Sequence, residues 1–350
     1  MKILGLIVAS ILAAALLAVV VGGRMMLSFV SAPHSAAGVE SKIVDVPTEV
    51  TSAALAERLA TADLISNPDW LALYLDHLHT GPKPQPGEYA LSPSLSPVEI
   101  IDRIGRGAVV TYTVTVSPGE TAEQVFDELA NQKLAPKGML EASFRDASLI
   151  ARLNIPSTTL EGYLFADTYT FSRGLSADAL LERMVHKYQK SLPPKVLEDA
   201  RTRGLTEADL VVVASLIELS GLMEMEWPEY SAIIHNRLRD GLPLEHEGSL
   251  AYGVDKPRDK LEAADYAQDT PYNTFRTPGL PPTPIATPGL AALAAAATPK
   301  GEGKFIAPRP SMKDGHIFCA DEDCVKAAYL AAGVPIPPPR FARPKPSRSR

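Results

Sequence analysis

Glu218 is the first residue with chemical potential, because it closes an almost wholly apolar run, Leu210-Val211-Val212-Val213-Ala214-Ser215-Leu216-Ile217. A helix with that composition must be buried on most sides, so the carboxylate emerges where the core ends and a cleft can begin. Desolvation disfavours the charged form and raises a carboxyl pKa, which suits a general acid near neutral pH. The competing reading is a solvated, idle glutamate on the last turn of a helix. A second cluster, Leu160-Glu161-Gly162-Tyr163-Leu164-Phe165-Ala166-Asp167-Thr168-Tyr169, sets an acid and a glycine before an aromatic strand. Acids beside aromatics suit the stacking and hydrogen bonding of sugar rings, and a turn glutamate with core tyrosines is the alternative. The third is Tyr272-Asn273-Thr274-Phe275 with Gly279-Leu280-Pro281-Pro282 and Ile285-Ala286-Thr287-Pro288-Gly289, a proline-fixed loop able to hold polar contacts at low entropic cost.

The elements that must position these residues follow from pattern and punctuation. Helices are predicted over about 177–191, 194–203, 207–219 and 290–297, with Thr121 capping another that carries Val125, Phe126 and Leu129. Strands are predicted over 109–116, where β-branched residues alternate, over 164–171 and over 304–307. Earlier in the chain, short helices are expected over 53–60, from Asn67-Pro68 and from Ser96-Pro97, with a strand over 88–91. From Leu242 onward, proline and glycine exclude any long helix.

The chain of 350 residues is 46% apolar and 21% charged, enough to bury a core and too apolar for disorder. Its net charge of −7 gives no general attraction to phosphate backbones, so nucleic acid is not an expected partner. Ile3 to Gly23 is uncharged and flanked by Lys2 and Arg24; at helical rise it is roughly 30 Å long, the thickness of a bilayer's hydrocarbon core. An uncleaved single-pass anchor is therefore expected, with the body outside the cytoplasm. A cleaved signal peptide is the competing reading, against which Pro33 spoils the nearest small-residue site. Cys319 and Cys324 could close a short disulfide loop or remain two thiols, and two thiols alone do not complete a zinc site. No metal or cofactor is implied.

In order and spacing these segments resemble the YceG-like family of membrane-anchored endolytic murein transglycosylases. Leu160 to Tyr169 resembles that family's E-G-x-x-x-x-D-T-Y strand, Asn236-Arg237-Leu238 its N-R-L helix, Tyr272 to Gly289 its Y-N-T…G-L-P-P…I-A-x-P-G loop, and Gly315-His316-Ile317-Phe318 its G-H-x-F. Pro86-Gly87-Glu88-Tyr89 with Ser96-Pro97-Val98-Glu99 resembles its LysM-like small unit. Composition gives an anchor over 1–24, a linker over 25–47 and a basic, proline-rich disordered tail over 334–350, and the resemblance implies an α+β protein with a LysM-like α/β unit over 48–108 and a mixed catalytic-type domain over 109–333. It also implies a home in the cytoplasmic membrane, peptidoglycan glycan strands as substrate, and the bilayer and cell-wall synthesis proteins as partners. The expected reaction cleaves the MurNAc–GlcNAc β-1,4 bond without water and leaves 1,6-anhydro ends, thereby terminating glycan elongation.

The departure lies at the centre. The family reads A-S-x-x-E-x-E-T with the second glutamate catalytic, whereas here the run is Ala214-Ser215-Leu216-Ile217-Glu218-Leu219-Ser220-Gly221, so the acid falls on Ser220. The family's L-Q-x-D-P-T is likewise changed to Leu244-Glu245-His246-Glu247-Gly248-Ser249. Glu218, or else Glu245 or Glu247, is the expected replacement acid, with Glu161, Tyr169, Glu245, Glu247, Tyr272, Asn273 and Thr274 lining a sugar groove. A two-residue shift turns a helical side chain by about 200°, so Glu218 can serve only if the helix ends there, which Gly221 permits. The other readings are a catalytically impaired peptidoglycan-binding scaffold, and a large unit that is only structural.

Overall fold

The computed structural model describes residues 2–35, 40–309 and 315–336. Residues 36–39 of the expected linker and 337–350 of the expected tail lie outside the described residues. The chain divides into two units: residues 1–112 with 170–174, and residues 113–169 with 175–350.

In the first unit, α1 (Lys2–Ser31) runs without a break past Arg24. It contains a 22-residue stretch, Ser10–Ser31, of mean hydropathy 2.1, long and apolar enough to cross a membrane. Its last turns are not a linker, because Met26 and Val30 are buried and Phe29 meets Trp70 edge-on at 5.8 Å. Lys42–Val46, read from sequence as linker, is strand β1, which pairs antiparallel with β2 (Gly87–Leu91). Between them lie α2 (Ser52–Thr61) and α3 (Pro68–His77), and α4 (Pro97–Gly105) follows β2. Ser96 and Glu99 form a reciprocal capping box at the start of α4, satisfying two of the amides that a helix leaves unbonded. Leu55, Leu59, Leu71, Tyr89, Leu91, Ile100, Ile101 and Ile104 form the core.

The second unit contains the end of β3 (Tyr112–Thr115), then α5 (Ala122–Asn131), α6 (Lys137–Phe144), α7 (Ala147–Arg152) and the start of β4 (Thr168–Phe171). The strand expected over 164–171 is confined to its second half, since Glu161 to Phe165 are buried in turns and irregular backbone. The helices α8 (Ala177–Ser191), α9 (Pro194–Thr202) and α10 (Glu207–Glu218) follow, then α11 (Trp227–Arg239), α12 (Glu247–Gly253) and α13 (Leu290–Ala297). All eight residues from Leu210 to Ile217 are buried, with α9, α11 and α13 packed around α10. Each large aliphatic side chain taken out of water there contributes roughly 1.5–3 kcal/mol, and this makes α10 the pillar of the unit. A capping box between Thr206 and Asp209 fixes where it begins.

The C-terminal part is an antiparallel pair, β5 (Phe305–Pro308) with β6 (His316–Cys319), packed on α14 (Glu322–Ala332). Cys319 and Cys324 are joined as a disulfide that ties β6 to the first turn of α14. That decides between the two thiol states the sequence left open.

Candidate active site

Glu218 is the last residue of α10. The chain leaves the helix through Ser220, whose amide turns back to Ile217 O, and Gly221, whose φ of +77° is open to glycine at little cost. The Glu218 side chain is half-buried, and its Oε2 accepts a hydrogen bond of 3.0 Å from the amide of Gly289, the residue that caps α13. α13 has no acid in its own first turn, so Glu218 supplies the negative charge that the positive end of a helix dipole favours. Burial pushes the carboxyl pKa up; the Gly289 amide opposes that rise and the like charge of Glu224 adds to it. The solvated, idle glutamate is therefore not what the fold builds. Glu224, an exposed residue of the 3₁₀ turn Glu224–Glu226, is a neighbour that pattern reading did not single out.

Ser220 carries no acid and spends its hydroxyl locally, accepting from the Leu222 amide at 3.2 Å. The carbonyls of Leu219 and Ser220 both accept from the Arg258 guanidinium, at 3.4 and 3.3 Å. A cation at a helix C-terminus is favourable, and here it fixes the segment that follows Glu218.

Glu161 is 2% exposed and does not open onto solvent. Its carboxylate accepts from the amide of Ala122, the first residue of α5, at 3.1 and 3.3 Å, and from the Tyr252 hydroxyl at 3.1 Å. Burial raises its pKa to about 7, against the lowering effect of the Ala122, Tyr252 and Gly162 donors. Gly162 has φ +80°, and a Cβ there would lie 2.5 Å from Pro284, so the turn that delivers Glu161 requires glycine.

The two carboxylates bracket one segment. The loop 117–121 hydrogen-bonds to the 287–289 loop through Gly119 N to Thr287 O and Thr287 N to Glu120 O, both 2.8 Å. Glu218 lies beside Gly119 and Gly289, and Glu161 lies at Ala122 just beyond Thr121.

The remaining expected groove residues serve the loops. Asn273 is 0% exposed and donates to Tyr266 O and Gln268 O while accepting from the Phe275 amide. Thr274 Oγ1 accepts from the His246 amide at 2.9 Å. Tyr169 is buried with its hydroxyl donated to Phe165 O. The expectation that these three side chains present polar atoms to a ligand is corrected, because burial has spent those atoms on main-chain partners. Tyr272 is half-buried, packs on Tyr252 at 5.0 Å and bonds Thr283 through its hydroxyl. Glu245 is ion-paired to Arg237 at 2.9 Å. Glu247 pairs with Arg258 at 3.2 Å and accepts from Tyr266. Each of these two acids orders a loop, which leaves Glu218 as the partly open carboxylate with an upward-shifted pKa.

The sequence profile of the YceG-like family matches residues 44–327. The chain belongs to the YceG-like family. The match covers both units of the fold, including α10, the 272–289 loop and the C-terminal β5–β6 pair. Among relatives of this family member, a Bacillus subtilis protein named endolytic murein transglycosylase is 26% identical over 272 residues, which are 73% of this chain and 75% of the relative. A Streptococcus pneumoniae serotype 2 protein of the same name is 26% identical over 239 residues, 59% of this chain and 43% of the relative, so the chain spans less than half of that protein. The crystal structure of a YceG-like protein from Listeria monocytogenes matches 82% of this chain and 98% of its own with a TM-score of 0.56; at 22% identity this is a likeness of fold.

Proposed function

We propose that this YceG-like protein is an endolytic peptidoglycan lytic transglycosylase, anchored by α1 in the cytoplasmic membrane, with Glu218 as its acid and base. The names of the curated relatives supply the reaction class. The observation that carries the residue assignment is the Glu218 carboxyl itself: half-buried, shifted upward in pKa by desolvation, and held by the Gly289 amide. The LysM-like reading of residues 48–108 belongs to this proposal, supported by the core that α2, α3, β2 and α4 share.

In that mechanism the protonated Glu218 gives its hydrogen to the oxygen bridging MurNAc and GlcNAc, and the C1–O bond breaks through an oxocarbenium-like transition state. The sugar's own 6-hydroxyl then bonds to C1, and its proton returns to Glu218, so one carboxyl serves twice and no water is consumed. Desolvation favours the protonated form of Glu218, and the Gly289 N–H stabilises the carboxylate that forms after the proton leaves. The open side of Glu218 matters as much as its covered side, since a sealed acid cannot reach a polymer.

Ser220 favours one other reading, a glycan-binding scaffold without turnover, because the family's catalytic position has lost its acid. Digestion of purified sacculi by the full chain in detergent, with mass spectrometry for 1,6-anhydro ends, separates the two. Anhydro products that disappear in Glu218→Gln support the lyase. Retention of glycan with no anhydro product from the parent supports the scaffold.

A further inference from the structure

His246 lies between Glu245 and Glu247, the two acids that replace the glutamine and aspartate of the resembled L-Q-x-D-P-T motif. The imidazole is buried, and its two nitrogens face partners of opposite kinds. Nε2 lies 2.9 Å from Leu216 O, which can only accept, and Nδ1 lies 3.0 Å from the Ser249 amide, which can only donate. The pair fixes one neutral tautomer, protonated on Nε2, and burial agrees by holding the pKa down to about 4.

Leu216 is two residues before Glu218. In a continuing helix its carbonyl would accept from the Ser220 amide, but that amide bonds Ile217 O instead. The carbonyl freed by this tightening is the one His246 takes. At the other nitrogen the ring caps α12, and the His246 amide is held by Thr274 Oγ1. The side chain thus ties the last turn of α10 to the start of α12, and the main-chain amide of the same residue ties both to the 272–275 loop.

We propose that His246 is a positioning residue for Glu218: its Nε2–H holds the final turn of α10 in the tightened form that delivers the Glu218 carboxylate to the Gly289 amide. The proposal rests on the reading of Glu218 as the acid, and it assigns Thr274 its purpose as the support of that histidine.

Two substitutions separate the brace from the cap. Asparagine at 246 keeps an acceptor at the Nδ1 position, and asparagine caps helices well, but it cannot reach Leu216 O. Glutamine reaches Leu216 O with an amide donor and loses the cap geometry. The decisive readout, taken on the full chain, is hydrogen exchange of the Gly289 amide, which reports the Glu218 bond whether or not glycan is being cleaved. His246→Asn is expected to speed that exchange by about tenfold or more with no larger a fall in thermal midpoint than His246→Gln shows. His246→Gln is expected to keep parent-like exchange with a lowered midpoint. In glycan digestion His246→Asn should lower kcat by about 10- to 100-fold with KM nearly unchanged, and His246→Gln should restore it. If exchange instead follows thermal stability, fastest in His246→Gln and parent-like in His246→Asn, His246 only supports the fold and the proposal is overturned. Failure of the underlying reading shows separately, as Glu218→Gln that still releases anhydro ends.

Discussion

Glu161 and Glu218 use the same electrostatic device to opposite ends. Each offers its carboxylate to a main-chain amide at the start of a helix, Ala122 of α5 for one and Gly289 before α13 for the other. Each has its pKa raised chiefly by desolvation. Glu161 has, besides, the Tyr252 hydroxyl and a glycine turn pressed against Pro284, and it is sealed. Glu218 has one amide and an open side. A shifted pKa therefore does not by itself mark a reactive acid; solvent access divides the acid that can meet a substrate from the one that fastens two segments together.

The sharpest way to break this comparison is Glu218→Gln. Glutamine keeps the acceptor for Gly289 but holds no transferable proton, so formation of 1,6-anhydro ends should fall by about 10²–10⁴-fold with little change in thermal midpoint. Mass spectrometry of digested sacculi reads it, and near-parent turnover would return both glutamates to a structural role.

Next in size is the pH dependence of Glu161. Its folded pKa of about 7 exceeds the ordinary 4.5, so the native state binds this proton more tightly than the unfolded chain does. The stability it contributes is complete below about pH 4.5 and is lost as pH rises through 7, amounting to up to about 3 kcal/mol. Urea unfolding across that range should show the loss in the parent and a flatter profile in Glu161→Gln; equal slopes would mean the carboxyl is not sealed.

The two glycines sharpen the contrast further. Gly162→Ala should destabilise by about 2 kcal/mol or more, since a Cβ at positive φ would lie 2.5 Å from the Pro284 ring. Gly289→Ala, whose Cβ would meet nothing closer than 3.4 Å, should shift stability by less than about 1 kcal/mol. Comparable losses at both sites would erase the distinction between a packed and an open acid. Tyr252→Phe, which removes one hydrogen bond to Glu161, should cost about 1 kcal/mol and move the Glu161 titration higher. That rise is visible by NMR of the carboxyl carbon.

Much of the helical frame was legible in the sequence because its signals are local. The helix read over 177–191 is α8, and that over 290–297 is α13. The boundary of α10 is off by a single residue, its start set by the Thr206 cap and its extent by the unbroken apolar run. β1 was missed because Lys42–Val46 is five residues long and gains its pairing only from a partner more than forty residues downstream. The strand expected over 164–171 was half lost for the converse reason: its first residues have strand-like side chains, yet Tyr163 to Phe165 are buried in the segment that follows the Glu161 turn. Asn273 and Thr274 looked like ligand-facing polar groups by type, and no local rule reveals that Tyr266, Gln268 and His246 consume them.

By itself the sequence determined the long apolar N-terminal helix, the buried pillar of α10 and the emergence of a carboxylate at its end, since each depends on residues adjacent in the chain. Only the tertiary structure decided which glutamate is sealed, which tautomer His246 holds and that Gly289 receives Glu218. Those outcomes depend on desolvation and on hydrogen-bond donors brought from 28 to 91 residues away, and burial and proximity of that kind exist only once the chain has folded.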